Sequence, residues 1–249
     1  MKKIVFGILV SMLMLGSFLA SGTAIMNESE KTNSSEFNQI KASIVVESYE
    51  IVSNDAGDYL SVDNFGRLLI SGKPNIPSKI YAIAIPPGAE VTDVSYETSN
   101  EIVLPGSYNI LPCDLPQVIG QEDPVVREKE EQIYLSNYES VYKSDDSYPE
   151  SIVDFVRPAG FRKYNIADVR VTPFSYKPIS GKLTYYPDIT VTVSYTISEK
   201  FNPQEIMADN VDSFEQRASE FIHNYDQTKD WYPTSPSGRD TYDYVIITT

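Results

Sequence analysis

Ile189-Thr190-Val191-Thr192-Val193-Ser194-Tyr195-Thr196-Ile197 is the stretch whose reading decides the fold class. A bulky apolar residue stands at every second position, and a small hydroxyl residue stands between. Successive side chains of a strand point to opposite faces, so this period of two gives one buried face and one wet face. Slipping the strand by one residue would turn the whole apolar set outward, so its register is firmly specified. Ala167, Val169 and Val171 alternate in the same way with Asp168, Arg170 and Thr172. Between these two strands lies Lys177-Pro178-Ile179-Ser180-Gly181. Pro178 presets φ at the second position of a tight turn, and Gly181 takes the positive φ that returns the chain. A hairpin with a loop of four or five residues follows.

The pattern continues toward the N-terminus. Further strands are expected at Ile44–Val52, Tyr59–Val62, Arg67–Ile70, Lys79–Ile85, Val91–Glu97, Glu101–Leu111, Ile152–Val156 and Lys182–Tyr186. Eighteen tyrosines and many Val and Ile favour strands. Many short strands without intervening helices predict an all-β, antiparallel sandwich or barrel over residues 43–200. Residues 112–131 differ. Pro112, Pro116 and Pro124 interrupt them and Glu122, Asp123, Glu128, Glu130 and Glu131 charge them, which predicts a long exposed loop or extended arm.

Beyond the strands the period changes. Met207, Val211, Phe214, Ala218 and Phe221 fall at steps of four and three, one face of an amphipathic helix over 201–225. Asn202 is placed as its N-cap, Pro203 at the first helical position and Glu205 as the capping-box acid. Residues 226–241 then read as a linker rich in Pro, Ser, Asp and Gly. Val245-Ile246-Ile247, within residues 242–249, is continuously apolar, as in a parallel strand buried on both faces. Two accounts remain open: the first strand of a truncated α/β domain, or a last strand added to the first sheet.

The N-terminus reads as a signal peptide, residues 1–24. Lys2 and Lys3 precede an apolar run from Ile4 to Leu15, and small residues at Gly22 and Ala24 suit cleavage after Ala24; an uncleaved anchor is the alternative. Residues 25–42 are expected to be a flexible mature N-terminus, with Asn27 and Asn33 in glycosylation patterns. The 35 acidic and 20 basic residues give a net charge of −15, and loss of Lys2 and Lys3 makes it −15 − 2 = −17. Phosphates would repel such a chain, so neither nucleic acid nor, after signal cleavage, a membrane is an expected partner. The chain has one cysteine and therefore no internal disulfide framework.

No catalytic constellation is legible. A cysteine nucleophile needs a base, and nothing in the sequence brings Cys113 to His223, the lone histidine. One His and one Cys exclude zinc-site spacing. No Gly-rich phosphate loop or Gly-x-Ser-x-Gly elbow occurs. Asp145-Asp146 and Glu122-Asp123 lack EF-hand ligand spacing and read as solvated turns. No cofactor and no metal is expected.

Several segments, in order, resemble the propeptides of gingipain-family cysteine peptidases. They are Ile85-Pro86-Pro87-Gly88-Ala89-Glu90-Val91, Glu101-Ile102-Val103-Leu104, Tyr148-Pro149-Glu150, Gly160-Phe161-Arg162 and Val169 through Leu183. Tyr186 and the strand Ile189–Tyr195 continue the likeness. Phe221-Ile222-His223-Asn224-Tyr225 is similar to the helix end before the catalytic domain, and Asp243 to Thr248 to that domain's first strand. The resemblance implies a secreted, β-sandwich propeptide that assists folding of the peptidase domain and blocks it. It implies a caspase-like α/β domain beginning at 242–249, with the catalytic residues outside this chain. On that basis the arm Pro116–Glu131 is the candidate inhibitory loop, with Arg127 and Glu128 as its candidate residues. Arg239 in the linker is the candidate processing site. The alternative function is a secreted β-sandwich for adhesion or carbohydrate binding, resting on the tyrosines and on Trp231.

Overall fold

The computed structural model describes residues 38–117, 120, 123–199, 201–202 and 212–232. In chain order the strands are β1 (Asn38–Val45), β2 (Glu50–Ser53), β3 (Asp58–Ser61), β4 (Gly66–Arg67), β5 (Pro77–Ile85), β6 (Ala89–Ser99), β7 (Ile102–Val103), β8 (Val153–Phe161), β9 (Tyr164–Val171), β10 (Phe174–Lys177), β11 (Lys182–Tyr185) and β12 (Asp188–Ile197). The helices are α1 (Pro124–Tyr142), α2 (Asp212–Phe221) and α3 (Tyr225–Thr228).

β12 lies at the centre of a three-stranded sheet, β1-β12-β6, with antiparallel neighbours on both sides. Ile189, Val191, Val193 and Tyr195 are buried, as their alternation requires. Thr192 and Ser194 on the opposite face are buried too, because neighbouring side chains cover a central strand. Ile197, past a register shift between Ser194 and Tyr195, is exposed. The second main sheet is β4-β5-β9-β8, and a small sheet β10-β11-β7 and the hairpin β2-β3 complete the β structure. One core joins the sheets. Ile40, Ala42 and Ile44 of β1 and the apolar face of β12 meet Ile83, Ile85, Ala167, Val169 and Val171 of β5 and β9, with Phe174, Tyr176, Leu183 and Tyr185 closing one end. The all-β antiparallel sandwich is therefore present; the barrel alternative falls, because among the described residues the sheets do not close on themselves.

The hairpin at Lys177–Lys182 forms as read, and Gly181 has φ +65°. A Cβ at Gly181 would run into Ser107 Oγ, so the loop packs on the 105–108 turn only with glycine there. Asp145 accepts from Ser180 N at 2.8 Å and Ser180 Oγ at 2.9 Å and pins this loop from the other side. Tyr148-Pro149 is cis.

Four expectations are corrected. Residues 38–42, placed in a flexible N-terminus, form β1, which pairs with β12 over its whole length. The apolar alternation Ile40, Ala42, Ile44 was the available signal. Glu101–Leu111 is a strand only at Ile102–Val103, since Pro105 lacks a donor and Gly106 turns at φ +104°. The expected arm over 112–131 becomes helical from Pro124, and α1 runs to Tyr142. Within the expected linker 226–241, residues up to Tyr232 are packed: α3 forms, and Tyr232 is only 2% exposed. The signal peptide, Arg239 and residues 242–249 lie outside the described residues, as do Pro203 to Val211 of the expected helix.

Candidate functional site

Two elements stand outside the sandwich, α1 and the C-terminal segment 212–232. α1 starts where its sequence allows. The Asp123 carboxylate accepts from Val125 N at 2.9 Å, and Pro124 needs no partner at the first helical position. Arg127, Glu130, Tyr134, Asn137 and Val141, at steps of three and four, are half-buried and form the face turned toward the sandwich. Asn137 Nδ2 donates to Ser71 O at 2.9 Å, and Tyr142 OH to Ile110 O at 2.7 Å. Tyr134, Tyr138 and Tyr142 stack along this side, with ring centroids 6.3 and 4.6 Å apart. Gly72, at φ +82°, lets Tyr134 O come close enough that a Cβ would collide with it. The fit is incomplete: Ser71 Oγ and Glu130 Oε2 are buried without hydrogen-bond partners. Outside that row Val125, Val126, Ile133 and Leu135 are exposed among carboxylates, on no single stripe.

Arg127 and Glu128 therefore sit on a helix and not on an extended loop. Arg127 N donates to Asp123 O at 3.0 Å, and its Nε pairs with Glu131 Oε1 at 3.0 Å. Glu128, one residue on, faces solvent. The missed signal was local: Asp at the N-cap, Pro at the first position, and a run of good helix formers after it.

The C-terminal segment is held differently. Ala218, Ile222 and Tyr232 form a second small core with Ala84, Tyr164 and Ile166, on the face of β5 and β9 opposite the main core. Of the expected helical face, Ala218 is fully buried, but Phe221 is 40% exposed and Ile222 takes its place. Asn224 accepts from Ala84 N at 2.7 Å and donates to Ala84 O at 2.9 Å. Tyr232 OH donates to Ile85 O at 2.8 Å and accepts from Asn165 N at 2.8 Å, and burial pushes its pKa up to about 12. Lys163, with its side chain 2% exposed, meets Glu215 Oε1 at 2.6 Å, while Tyr164 OH and Tyr225 OH donate to Glu215 Oε2 at 2.7 and 2.8 Å. Burial alone would raise the Glu215 pKa; the hydrogen bonds from Lys163 and the two tyrosines outweigh it and hold the carboxyl below its ordinary value.

The chemistry-bearing residues of the sequence are kept apart. Cys113 is buried, donates to Leu68 O at 3.6 Å, and has its pKa raised chiefly by burial. His223 Nε2 lies 2.7 Å from Ser43 O, and since a carbonyl only accepts, Nε2 carries the proton. The thiol has no base beside it, so the arrangement offers no nucleophile. Trp231 is half-buried and packs against both cores. Asp145 and Asp146 serve turns: Asp146 accepts from Ser144 Oγ at 2.5 Å. Among the described residues no group of three or more His, Cys, Asp or Glu is placed to hold a metal ion, and no helix is long and apolar enough to cross a membrane. What the molecule does offer is surface: an exposed helix on one side and a tightly docked tail on the other.

Comparison with known proteins bears on what that surface is for. The family model Propeptide_C25 matches residues 24–231, from the expected signal cleavage point through α3. Among solved structures, the chain is similar to one in the complex of Porphyromonas gingivalis RgpB pro- and mature domains, with 19% identity and a TM-score of 0.51, covering 76% of this chain and 93% of that one. It is also similar to a chain of the structure describing zymogenic latency of gingipain K from Porphyromonas gingivalis, with 22% identity and a TM-score of 0.45, covering 67% and 91%. No curated protein matches. The family match spans every described element from β1 to α3, so this chain belongs to the Propeptide_C25 family and carries a gingipain-type propeptide.

Proposed function

We propose that this propeptide assists folding of a secreted cysteine endopeptidase domain and keeps it inactive, and that the peptidase domain is its partner. The observation that carries the reading is the family match over residues 24–231 combined with the absence of a nucleophile–base pair among the described residues. Blocking a peptidase requires burying on the order of 800 Å² on each partner and closing the cleft with a segment that is not cut. α1 and the arm leading into it supply that segment in this reading. Arg127 and Glu128 are the candidate contact residues, and the exposed surface of α1 adds Val125, Ile133 and Leu135. Residues 1–24 direct export, and Arg239 is the proposed processing site, ahead of a peptidase domain that begins at 242–249.

The test is to express the precursor carrying the downstream peptidase domain, isolate that domain, and titrate it with the separate propeptide. Stoichiometric inhibition is expected, and lack of inhibition overturns the role. Deleting residues 118–128 is expected to weaken inhibition by at least tenfold. Unchanged inhibition would move the blocking segment elsewhere. N-terminal sequencing of the matured peptidase domain checks Arg239.

A further inference from the structure

We propose that residues 212–232 are a clasp that replaces a missing edge strand, and that its undocking is a separate opening step which exposes Arg217 and Lys229 to proteolysis while the sandwich stays folded. The argument begins with the edge of β5. Alternate residues of an antiparallel strand turn their backbone groups to opposite sides, so Ser78, Ile80, Ala82 and Ala84 face away from β9. β4 covers only Pro77 and Ser78. Further along, the clasp takes over. His223 N donates to Ala82 O at 2.9 Å and Ile222 bridges Ala82 in parallel, while Tyr232 OH is inserted between Ile85 O and Asn165 N at the end of the β5–β9 ladder. The Asn224 side-chain amide gives Ala84 one donor and one acceptor, the two bonds that a neighbouring peptide group would make.

The same segment covers a second edge. β1 pairs with β12 on one side only. On its outer side, Ser43 O accepts from His223 Nε2, and Lys41 O accepts from Gln227 Nε2 at 3.2 Å. One short segment thus bonds to outward groups on one edge of each main sheet, Ala82 O and Ala84 N and O on β5 and Lys41 O and Ser43 O on β1. Its buried apolar residues Ala218, Ile222 and Tyr232 form a cluster of their own, and only the half-buried Trp231 also reaches the main core. The ion pair of Lys163 with Glu215 fixes where it docks but adds little net stability, because desolvation offsets the Coulomb gain. A unit with its own small core and mostly polar anchors comes away before the body to which it is anchored. Arg217 and Lys229 are already exposed, but they are held within helical or cap backbone that a protease cannot accommodate until the clasp opens.

Native-state hydrogen exchange on the full chain, with increasing denaturant, tests this. The amides of Ala84, His223 and Tyr232 are expected to exchange together through an opening with weak denaturant dependence, at least tenfold faster than Val191 and Val193. Asn224→Ala is expected to speed exchange at Ala84 and His223 by more than tenfold, leave Val191 and Val193 unchanged, and raise the rate of tryptic cleavage at Arg217 and Lys229 by a similar factor. If clasp and β12 amides share one opening in the wild type, the proposal is overturned without any variant. Should Asn224→Ala fail to fold, Gln227→Ala, which removes the bond to Lys41 O and the one Gln227 Oε1 accepts from Asn224 Nδ2 at 3.1 Å but leaves both Asn224 bonds to Ala84, keeps the comparison; equal acceleration everywhere, or unchanged cleavage, also overturns it.

Discussion

Helix α1 and the C-terminal clasp attach to the same sandwich by opposite means. α1 has 19 residues and buries none of them. The clasp has helices of ten and four residues, yet Ala218, Ile222, Asn224, Thr228 and Tyr232 are buried. α1 touches the body through the Gly72 turn, two side-chain hydrogen bonds and the packing of Val141 and Tyr142 on the main core, with Ser71 Oγ and Glu130 Oε2 left unpartnered in the seam. The clasp bonds to outward backbone groups on β5 and β1. Helix length therefore does not measure anchoring; what counts is how many buried polar groups of the body depend on the element.

Substitutions can break that comparison, and the clasp should give the larger effects. Tyr232→Ala removes a buried ring and the hydroxyl that serves Ile85 O and Asn165 N. It is expected to cost about 4 kcal/mol, lowering the melting temperature by roughly 10 °C in calorimetry. A loss below about 1 kcal/mol would mean that the tail is not docked in solution. Glu215→Gln removes the carboxylate that pairs with the buried Lys163 ammonium at 2.6 Å, at an expected cost of about 3 kcal/mol. The wild type should show a matching pH signature. Because the folded Glu215 pKa lies below the ordinary ~4.3, its stabilisation is fully present above that value and is lost as pH falls through the folded pKa. Melting temperature plotted against pH below about 5 should fall less steeply in Glu215→Gln than in the wild type.

Effects on α1 should be smaller. Tyr142→Phe removes the bond to Ile110 O and is expected to cost about 1 kcal/mol by urea denaturation. Leu135→Ser, on the exposed surface of α1, is expected to change stability by less than about 0.5 kcal/mol. If that surface meets the peptidase, it weakens inhibition in a titration at unchanged melting temperature. A Leu135→Ser variant that inhibits as well as the wild type would remove this surface from the interface.

The strands were legible because each carries its period locally. Ile189 to Ile197, Ala167 to Val171 and the Pro178–Gly181 turn read out their conformation from their own residues. α1 was obscured because its apolar residues, Val125, Val126, Ile133 and Leu135, do not gather on one stripe, and because the prolines at 112, 116 and 124 suggested a continuous arm. Arg127 and Glu128 were therefore placed on a loop, although Asp123-Pro124 spells a helix start. The packed tail was missed for a different reason. His223 and Asn224 read as the end of the helix over 201–225 and Gln227 as part of the linker, because their partners are carbonyls and amides more than 130 positions away.

The sequence alone settled what depends on neighbours one to four residues apart, the alternating faces and the turn chemistry, and it carried the likeness to a propeptide. Tertiary structure alone decided which strands lie at the edges, and hence which backbone groups needed outside partners. Hydrogen-bonding demand at a sheet edge is a property of the assembled sheets and appears in no residue's own pattern. That demand is what turned an apparent linker into a clasp, while α1, to which no sheet edge is bonded, stayed exposed.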